Sequence, residues 1–124
     1  MHFLIYTEPV RLSYREIRST QLNADQPVYF SVLPWTTRGA TVSLTLTSGS
    51  LVCYASDQHH TPELGNADWT FTIIQDYMEV FLYPIRDRPI GSFLVIACSG
   101  QQSRNIFSIQ VESRGLRTTG TYIT

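Results

Sequence analysis

The sequence contains no lysine, and its nine positively charged residues are all arginine. A chain without lysine has no lysine nucleophile, no Schiff-base lysine and no P-loop lysine, so several enzyme classes are excluded. The arginines are scattered along the 124 residues, and the formal net charge is −1. We therefore do not expect the basic surface that binding to nucleic acid or to anionic lipid requires.

Long apolar runs are also missing. No run approaches the roughly 20 residues that a membrane-spanning helix needs, and the N-terminal MHFLIY is too short for a signal peptide. Hydrophobic residues make up 43% of the chain and charged residues 15%, which is typical of a globular protein. The sequence predicts one folded domain over residues 1–124, without membrane insertion and compatible with a module of a larger protein.

Established catalytic and metal-binding signatures are absent as well. The chain has no GxSxG nucleophile elbow, no HExxH pattern, no EF-hand loop and no pair of cysteines at zinc-finger spacing. No asparagine begins a glycosylation sequon. The sequence therefore predicts a protein that is not an enzyme and needs no cofactor, with bound calcium as an alternative.

Apolar residues instead recur with a period of two. In ATVSLTLT, Val42, Leu44 and Leu46 alternate with polar residues, which is the pattern of a half-buried strand. Four further segments alternate in the same way, with predicted inner faces Val28/Phe30/Val32, Met78/Val80/Leu82, Phe93/Val95/Ala97 and Phe107/Ile109/Val111. Glycine, proline and serine fall between these segments, and no window sustains helical spacing. The pattern predicts an all-β, antiparallel β-sandwich.

Two segments carry a resemblance to a known family. GSLVCYAS and GSFLVIACSG, within a stretch from about Gln21 to Glu112, resemble strands of the bacterial pre-peptidase C-terminal domain. That family consists of jelly-roll modules appended to secreted hydrolases and found in some cell-surface proteins. The resemblance implies a jelly-roll-like fold and a non-catalytic accessory module that binds substrate or matrix, sometimes with calcium. The family's acidic pair is replaced here by Ser50 and Val52, so its role is not carried over.

The segment between Ser48 and Trp69 holds the candidate metal ligands Asp57, His59, Glu63 and Asp68. Oxygen donors on a loop are suited to calcium, and a histidine with a carboxylate is suited to zinc. The alternative is a solvated loop in which Asp57 bonds its own backbone and Trp69 closes the edge of the core.

The two cysteines also allow two interpretations. Cys53 is predicted on the inner face, whereas Cys98 falls on the face opposite Val95 and Ala97, so a disulfide between them would need a bulge or a register break. The alternative is two free thiols, which would suit a reducing compartment.

Aromatic residues make up 12% of the chain. Four of them, Trp35, Tyr54, Tyr77 and Tyr83, are candidate ligand-binding residues, because exposed tyrosine and tryptophan offer a large apolar area with a polar tip. The alternative is that they cover the ends of the sandwich or pair across strands.

Two functions follow from these features. The first is a binding or adhesion module that recognises protein or carbohydrate, as part of a larger extracellular or cell-surface protein. The second is a structural component, for instance of an intracellular complex, in which an edge strand such as Phe3 to Tyr6 or Leu116 to Ile123 adds to a neighbouring sheet. The sequence leaves the oligomeric state open.

Overall fold

The computed structural model describes residues 9–113 and, for the backbone alone, residues 121–123. The described residues form ten strands: β1 (Val10–Arg11), β2 (Ile17–Asn23), β3 (Pro27–Val32), β4 (Ala40–Ser48), β5 (Leu51–Ser56), β6 (Trp69–Ile73), β7 (Tyr77–Leu82), β8 (Leu94–Gly100), β9 (Arg104–Glu112) and β10 (Thr121–Ile123). They include no helix, and hence none that could cross a membrane. The predicted all-β class is confirmed.

The strands form two five-stranded sheets. The first has the order β1-β3-β8-β5-β6 and the second the order β10-β7-β4-β9-β2. Strands β2 to β9 pair antiparallel and place β3-β8-β5-β6 opposite β2-β9-β4-β7, which is the eight-stranded jelly-roll arrangement. The predicted jelly-roll-like sandwich is confirmed, and β1 and β10 extend the two sheets by parallel pairing.

The edge strands that the sequence suggested for contact with a neighbour are only partly described. Thr121–Ile123, from the predicted segment Leu116 to Ile123, pairs with β7 of the same chain. The other predicted segment, Phe3 to Tyr6, lies outside the described residues. Pairing within the chain already occupies one side of β10.

The hydrophobic core lies between the inner faces of the two sheets. In β9, Phe107, Ile109 and Val111 are buried, while the residues between them are partly exposed. The predicted inner faces of β3, β4 and β7 also contribute to this core. In β4 and β9, polar residues occupy most alternate positions on the more exposed face, so the alternation predicts which face lies on the core.

The predicted inner face of β8 is wrong. Leu94, Ile96 and Cys98 belong to the core between the sheets, whereas Val95 and Ala97 alternate with them and lie on the other face. Both of these outer residues are buried too. A strand buried on both faces carries apolar residues at consecutive positions, so its sequence does not show which set faces the core.

The long connections leave the sandwich at one end. Val32 at the end of β3 pairs with Leu94 at the start of β8, and Ala40 at the start of β4 pairs with Leu82 at the end of β7. Strand β5 ends beside the start of β8 as well. Residues 33–39, 57–68 and 83–93 therefore emerge together and are called the loop end below. The opposite end carries the short connections 24–26, 49–50, 74–76 and 101–103.

Candidate functional site

A buried carboxylate lies at the centre of the loop end. Asp57 directly follows β5, and only 1% of its surface is exposed. Its Oδ2 accepts hydrogen bonds from Nε1 of Trp35, at 2.9 Å, and from the backbone N–H of Gly91, at 3.1 Å. Its Oδ1 accepts a hydrogen bond of 2.6 Å from Nη2 of Arg88. A charge removed from water requires such partners, so this carboxylate holds three separate loops in fixed positions.

Arg88 connects Asp57 to a second carboxylate. Its Nη1 donates to Oδ1 of Asp68 at 2.7 Å, while Oδ2 of Asp68 accepts a hydrogen bond of 2.6 Å from the hydroxyl of Ser56. The planar guanidinium can bond two carboxylates at once, which a lysine ammonium does with less directional control. We call Arg88 with Asp57 and Asp68 the Arg88 bridge. It joins loop 57–68 to loop 83–93.

The contact between Asp68 and Arg88 shifts the pKa of both groups. Burial alone would raise the pKa of Asp68, but hydrogen bonds from Arg88 and Ser56, with the positive charge of Arg88, outweigh burial and hold this pKa below its ordinary value. The hydrogen bond to Asp68 in turn raises the pKa of Arg88, against the opposing effect of burial. The pair of Asp68 and Arg88 is therefore fully charged at neutral pH.

Gly91 fits the bridge because it has no side chain. A Cβ atom placed on Gly91 would lie 1.7 Å from the backbone oxygen of Asp57, far inside van der Waals contact. Loop 83–93 approaches the backbone of Asp57 this closely only with glycine at this position.

Trp35 belongs to the core rather than to the surface. Only 4% of it is exposed, and its ring packs edge-on against Trp69 with 5.7 Å between ring centroids. The expectation that Trp35 offers an exposed stacking surface is wrong, because its indole N–H is needed by the buried carboxylate of Asp57. The hydroxyl of Tyr14 donates a hydrogen bond to the backbone carbonyl of Pro34 and so also helps to position loop 33–39.

The four candidate metal ligands do not converge. Asp57 and Asp68 are close, but the guanidinium of Arg88 bonds both, and His59 and Glu63 are exposed. Across residues 9–113, no three His, Cys, Asp or Glu side chains are grouped so that they could hold a metal ion. The donor set therefore does not fit calcium, because a positive charge already neutralises its two buried carboxylates.

The alternative prediction for this loop also needs correction. Asp57 does not bond its own backbone; the turn is instead held by Ser56, whose Oγ accepts hydrogen bonds of 2.9 Å from the backbone N–H groups of Gln58 and His59. As that alternative expected, Trp69 is buried in the core, at the start of β6, the last strand of its sheet among the described residues. The loop is anchored by buried polar contacts rather than solvated throughout.

The three candidate tyrosines lie in separate places. Tyr54 is half-buried on the outer face of β5, opposite Ala97 of β8. Tyr77, at the start of β7, is 55% exposed and donates its hydroxyl to Glu79. Tyr83 lines a cleft of about 750 Å³ together with Thr37, Pro84, Ile85 and Arg86. The structure does not combine these residues into one site.

Each long loop exposes one large aliphatic side chain. The exposed fractions are 38% for Leu33, 83% for Leu64 and 39% for Ile90. We call these three residues the apolar loop set. On the same loops, His60 stacks on Phe93 with 4.3 Å between ring centroids. Large hydrophobics are exposed elsewhere too: Ile17 at the start of β2, and Ile74 and Tyr77 beside the turn at the opposite end.

Sequence reasoning missed Arg88, Ser56 and Gly91. Arg88 lies 31 residues from Asp57 in the chain, and nothing in the sequence distinguishes it from the other eight arginines. The segment RPIG indicated a turn, but not that its glycine approaches the backbone of Asp57 in another loop.

Comparison with known proteins supports the fold. The pre-peptidase C-terminal domain of a collagenase from Bacillus anthracis superposes with a TM-score of 0.62 at 8% sequence identity, over 89% of this chain and 100% of that one. The chain resembles this domain in fold. A periplasmic inhibitor of g-type lysozyme from Aeromonas hydrophila superposes with a TM-score of 0.52 at 9% identity, over 86% and 98% of the two chains. No family model and no curated protein match the sequence.

Proposed function

We propose that the protein is a non-catalytic module that binds another protein through its loop end. The observation that carries this proposal is the junction at Asp57, where one buried carboxylate contacts Trp35, Arg88 and Gly91 and so joins three loops. Because these loops are already held in place, binding through their exposed side chains costs little conformational entropy of the backbone.

The side chains that these loops present favour a protein partner. Leu33, Leu64 and Ile90 are aliphatic and exposed, and aliphatic groups on a rigid scaffold are suited to pockets on a protein surface. A carbohydrate partner is less well supported, since Trp35 is buried and the three candidate tyrosines lie apart.

One of the two similar structures supports a protein partner. It is an inhibitor of g-type lysozyme, so the target of that inhibitor is itself a protein, whereas the other is a domain of a collagenase. The inhibitor is periplasmic. We propose by extension that this chain acts outside the cytoplasm, as a module of an extracellular or cell-surface protein.

The test compares two variants of the immobilised domain. A loop variant carries Leu64→Glu and Ile90→Glu, and a control carries Ile74→Glu at the opposite end, where the side chain is 71% exposed. Substitutions at exposed positions change folding stability by roughly 0.5 kcal/mol or less, so unchanged circular dichroism is expected for both.

Proteins retained from the source cells and their medium are then quantified by mass spectrometry. We expect partners that bind the wild type and the Ile74→Glu control but not the loop variant. Equal retention by all three proteins would contradict the proposal, and binding to a glycan array instead would favour the carbohydrate alternative.

The assembly alternative has one observation in its favour. Among the described strands, β2 ends its sheet; it is seven residues long and begins with Ile17, which is 67% exposed. An edge with no described neighbour can add to another sheet. Light scattering after gel filtration tests it: a monomer agrees with the binding module, whereas an oligomer that Ser19→Pro dissociates would favour assembly.

A further inference from the structure

The two cysteines lie directly opposite each other in the core. Cys53 of β5 and Cys98 of β8 are partners in the antiparallel register, and both have an exposed fraction of 0%. Their sulfur atoms are 3.2 Å apart, in the thiol form. The sequence placed Cys98 on the outer face, and that placement is wrong for the same reason as the rest of β8.

Directly opposed residues of antiparallel strands suit a disulfide. Their Cα atoms are about 4.5–5.5 Å apart, which lies inside the range of about 4.4–6.8 Å that disulfides span. The bond therefore needs neither a bulge nor a shift in register. We propose that Cys53 and Cys98 form a disulfide that joins β5 to β8 across the centre of the first sheet.

The reaction requires a named oxidant, for which a small-molecule disulfide such as glutathione disulfide is suitable. The thiolate of one cysteine attacks a glutathione sulfur, forms a mixed disulfide and releases one glutathione thiolate. The second cysteine then attacks its partner's sulfur and releases the other glutathione. One S–S bond forms and one breaks; the two protein thiols lose two protons and two electrons, and two glutathione thiols are made.

The surroundings of the pair indicate a structural bond rather than a catalytic one. In the register, Cys53 is flanked by Phe71 of β6 on the side opposite Cys98, and its own strand places Leu51 and Ala55 on the same buried face. Burial, together with the neighbouring Cys98, raises the pKa of the Cys53 thiol. A buried thiol with little thiolate reacts slowly, so the bond should form before the core closes and resist reduction afterwards.

The bond should stabilise the fold measurably. The two cysteines are 45 residues apart, and a cross-link over such a loop restricts the unfolded chain. We expect the thermal midpoint of the oxidised protein to exceed that of the reduced protein by on the order of 10 °C.

The experiment refolds the reduced full chain in a glutathione redox buffer and analyses it after denaturation. We expect no titratable thiol and an intact mass lower than that of the reduced chain by two hydrogen atoms. The thermal midpoint should be lower when unfolding is measured with reductant than without it. The variants Cys53→Ala and Cys98→Ala serve as controls, since each keeps one thiol and its midpoint should be the same with and without reductant.

Two free thiols after oxidative refolding would overturn the proposal, as would a stable adduct of glutathione on either cysteine. A disulfide that leaves the midpoint unchanged would overturn its structural role. Because the cysteines lie in the core and the proposed binding surface in the loops, failure of this proposal leaves the binding proposal unaffected.

Discussion

Trp35 and Asp57 are linked by a hydrogen bond of 2.9 Å from the indole Nε1 to the buried carboxylate, across 22 residues of sequence. The indole ring also packs on Trp69, so one side chain serves both the hydrophobic core and the polar junction of the loops. Stability of the core and positioning of the proposed binding loops are therefore coupled at Trp35.

Removing the positive charge from the junction should destabilise the fold strongly. Arg88→Met leaves Asp57 buried without its ionic partner, and we expect a loss of about 3 kcal/mol in the free energy of unfolding, measured by urea denaturation. The matched control is Arg18→Met, because the ion pair of Arg18 with Glu16 has side chains 41% and 33% exposed. Solvent screens such a surface pair, so its loss should lower the free energy of unfolding far less than the loss of Arg88.

A second substitution tests whether the loss at Arg88 arises from the unpaired charge. Adding Asp57→Asn to Arg88→Met removes that charge, so the double variant should lose less than the sum of the two single variants. Additive losses would show that Arg88 acts through packing alone.

Acid should weaken the fold through Asp68. Folding lowers the pKa of this carboxyl below its unfolded value of about 3.9, through its hydrogen bonds to Arg88 and Ser56. The resulting stabilisation is fully present above the unfolded pKa and is lost as the pH falls through the folded-state pKa. The difference in unfolding free energy between wild type and Asp68→Asn should therefore shrink below about pH 4. A difference that stays constant from neutral pH to pH 3 would contradict this assignment.

Calcium should leave the stability unchanged. A ligand that binds only the folded state raises the thermal midpoint by mass action, but here Arg88 bonds both Asp57 and Asp68. We expect equal midpoints in millimolar calcium and in chelator. A rise of several degrees in calcium, absent in Asp68→Asn, would restore the loop as a metal site.

Position 91 should tolerate no side chain, because Gly91 lies against the backbone of Asp57. Gly91→Ala places a methyl group against the backbone of Asp57, and we expect a loss of about 3 kcal/mol, at the upper end for overpacking, since backbone cannot rotate away. Gly65→Ala is the control, because nothing lies within 4 Å of its Cβ position. The strain of its positive φ should cost only about 1 kcal/mol. Equal losses would mean that loop 83–93 can move away from Asp57.

The class of fold was predictable because strand alternation is local. Val42, Leu44 and Leu46 alternate with polar neighbours, and this alone places one face of β4 on the core. The same rule failed for β8, where Val95 and Ala97 are apolar on the outer face as well. Because the rule failed for β8, Cys98 was predicted on the outer face, and its pairing with Cys53 was not predicted.

The candidate site was only partly predictable. Asp57 and Asp68 stood out as acidic residues in a long loop, but the two interpretations of that loop were a metal site and a solvated connection, and neither included an arginine. The actual partner, Arg88, comes from a different connection, 20 residues beyond Asp68. Trp35 was likewise predicted to be an exposed ligand-binding residue, whereas in the structure it lies in the core.

The sequence by itself determined an all-β chain with alternating strands, without lysine and without a recognised catalytic motif. The tertiary structure alone decided which loops meet, which arginine neutralises Asp57 and which face of β8 carries Cys98. Periodicity reports the surroundings of a residue along its own strand. Contacts between loops depend on the order and register of strands far apart in the chain, which no local pattern encodes.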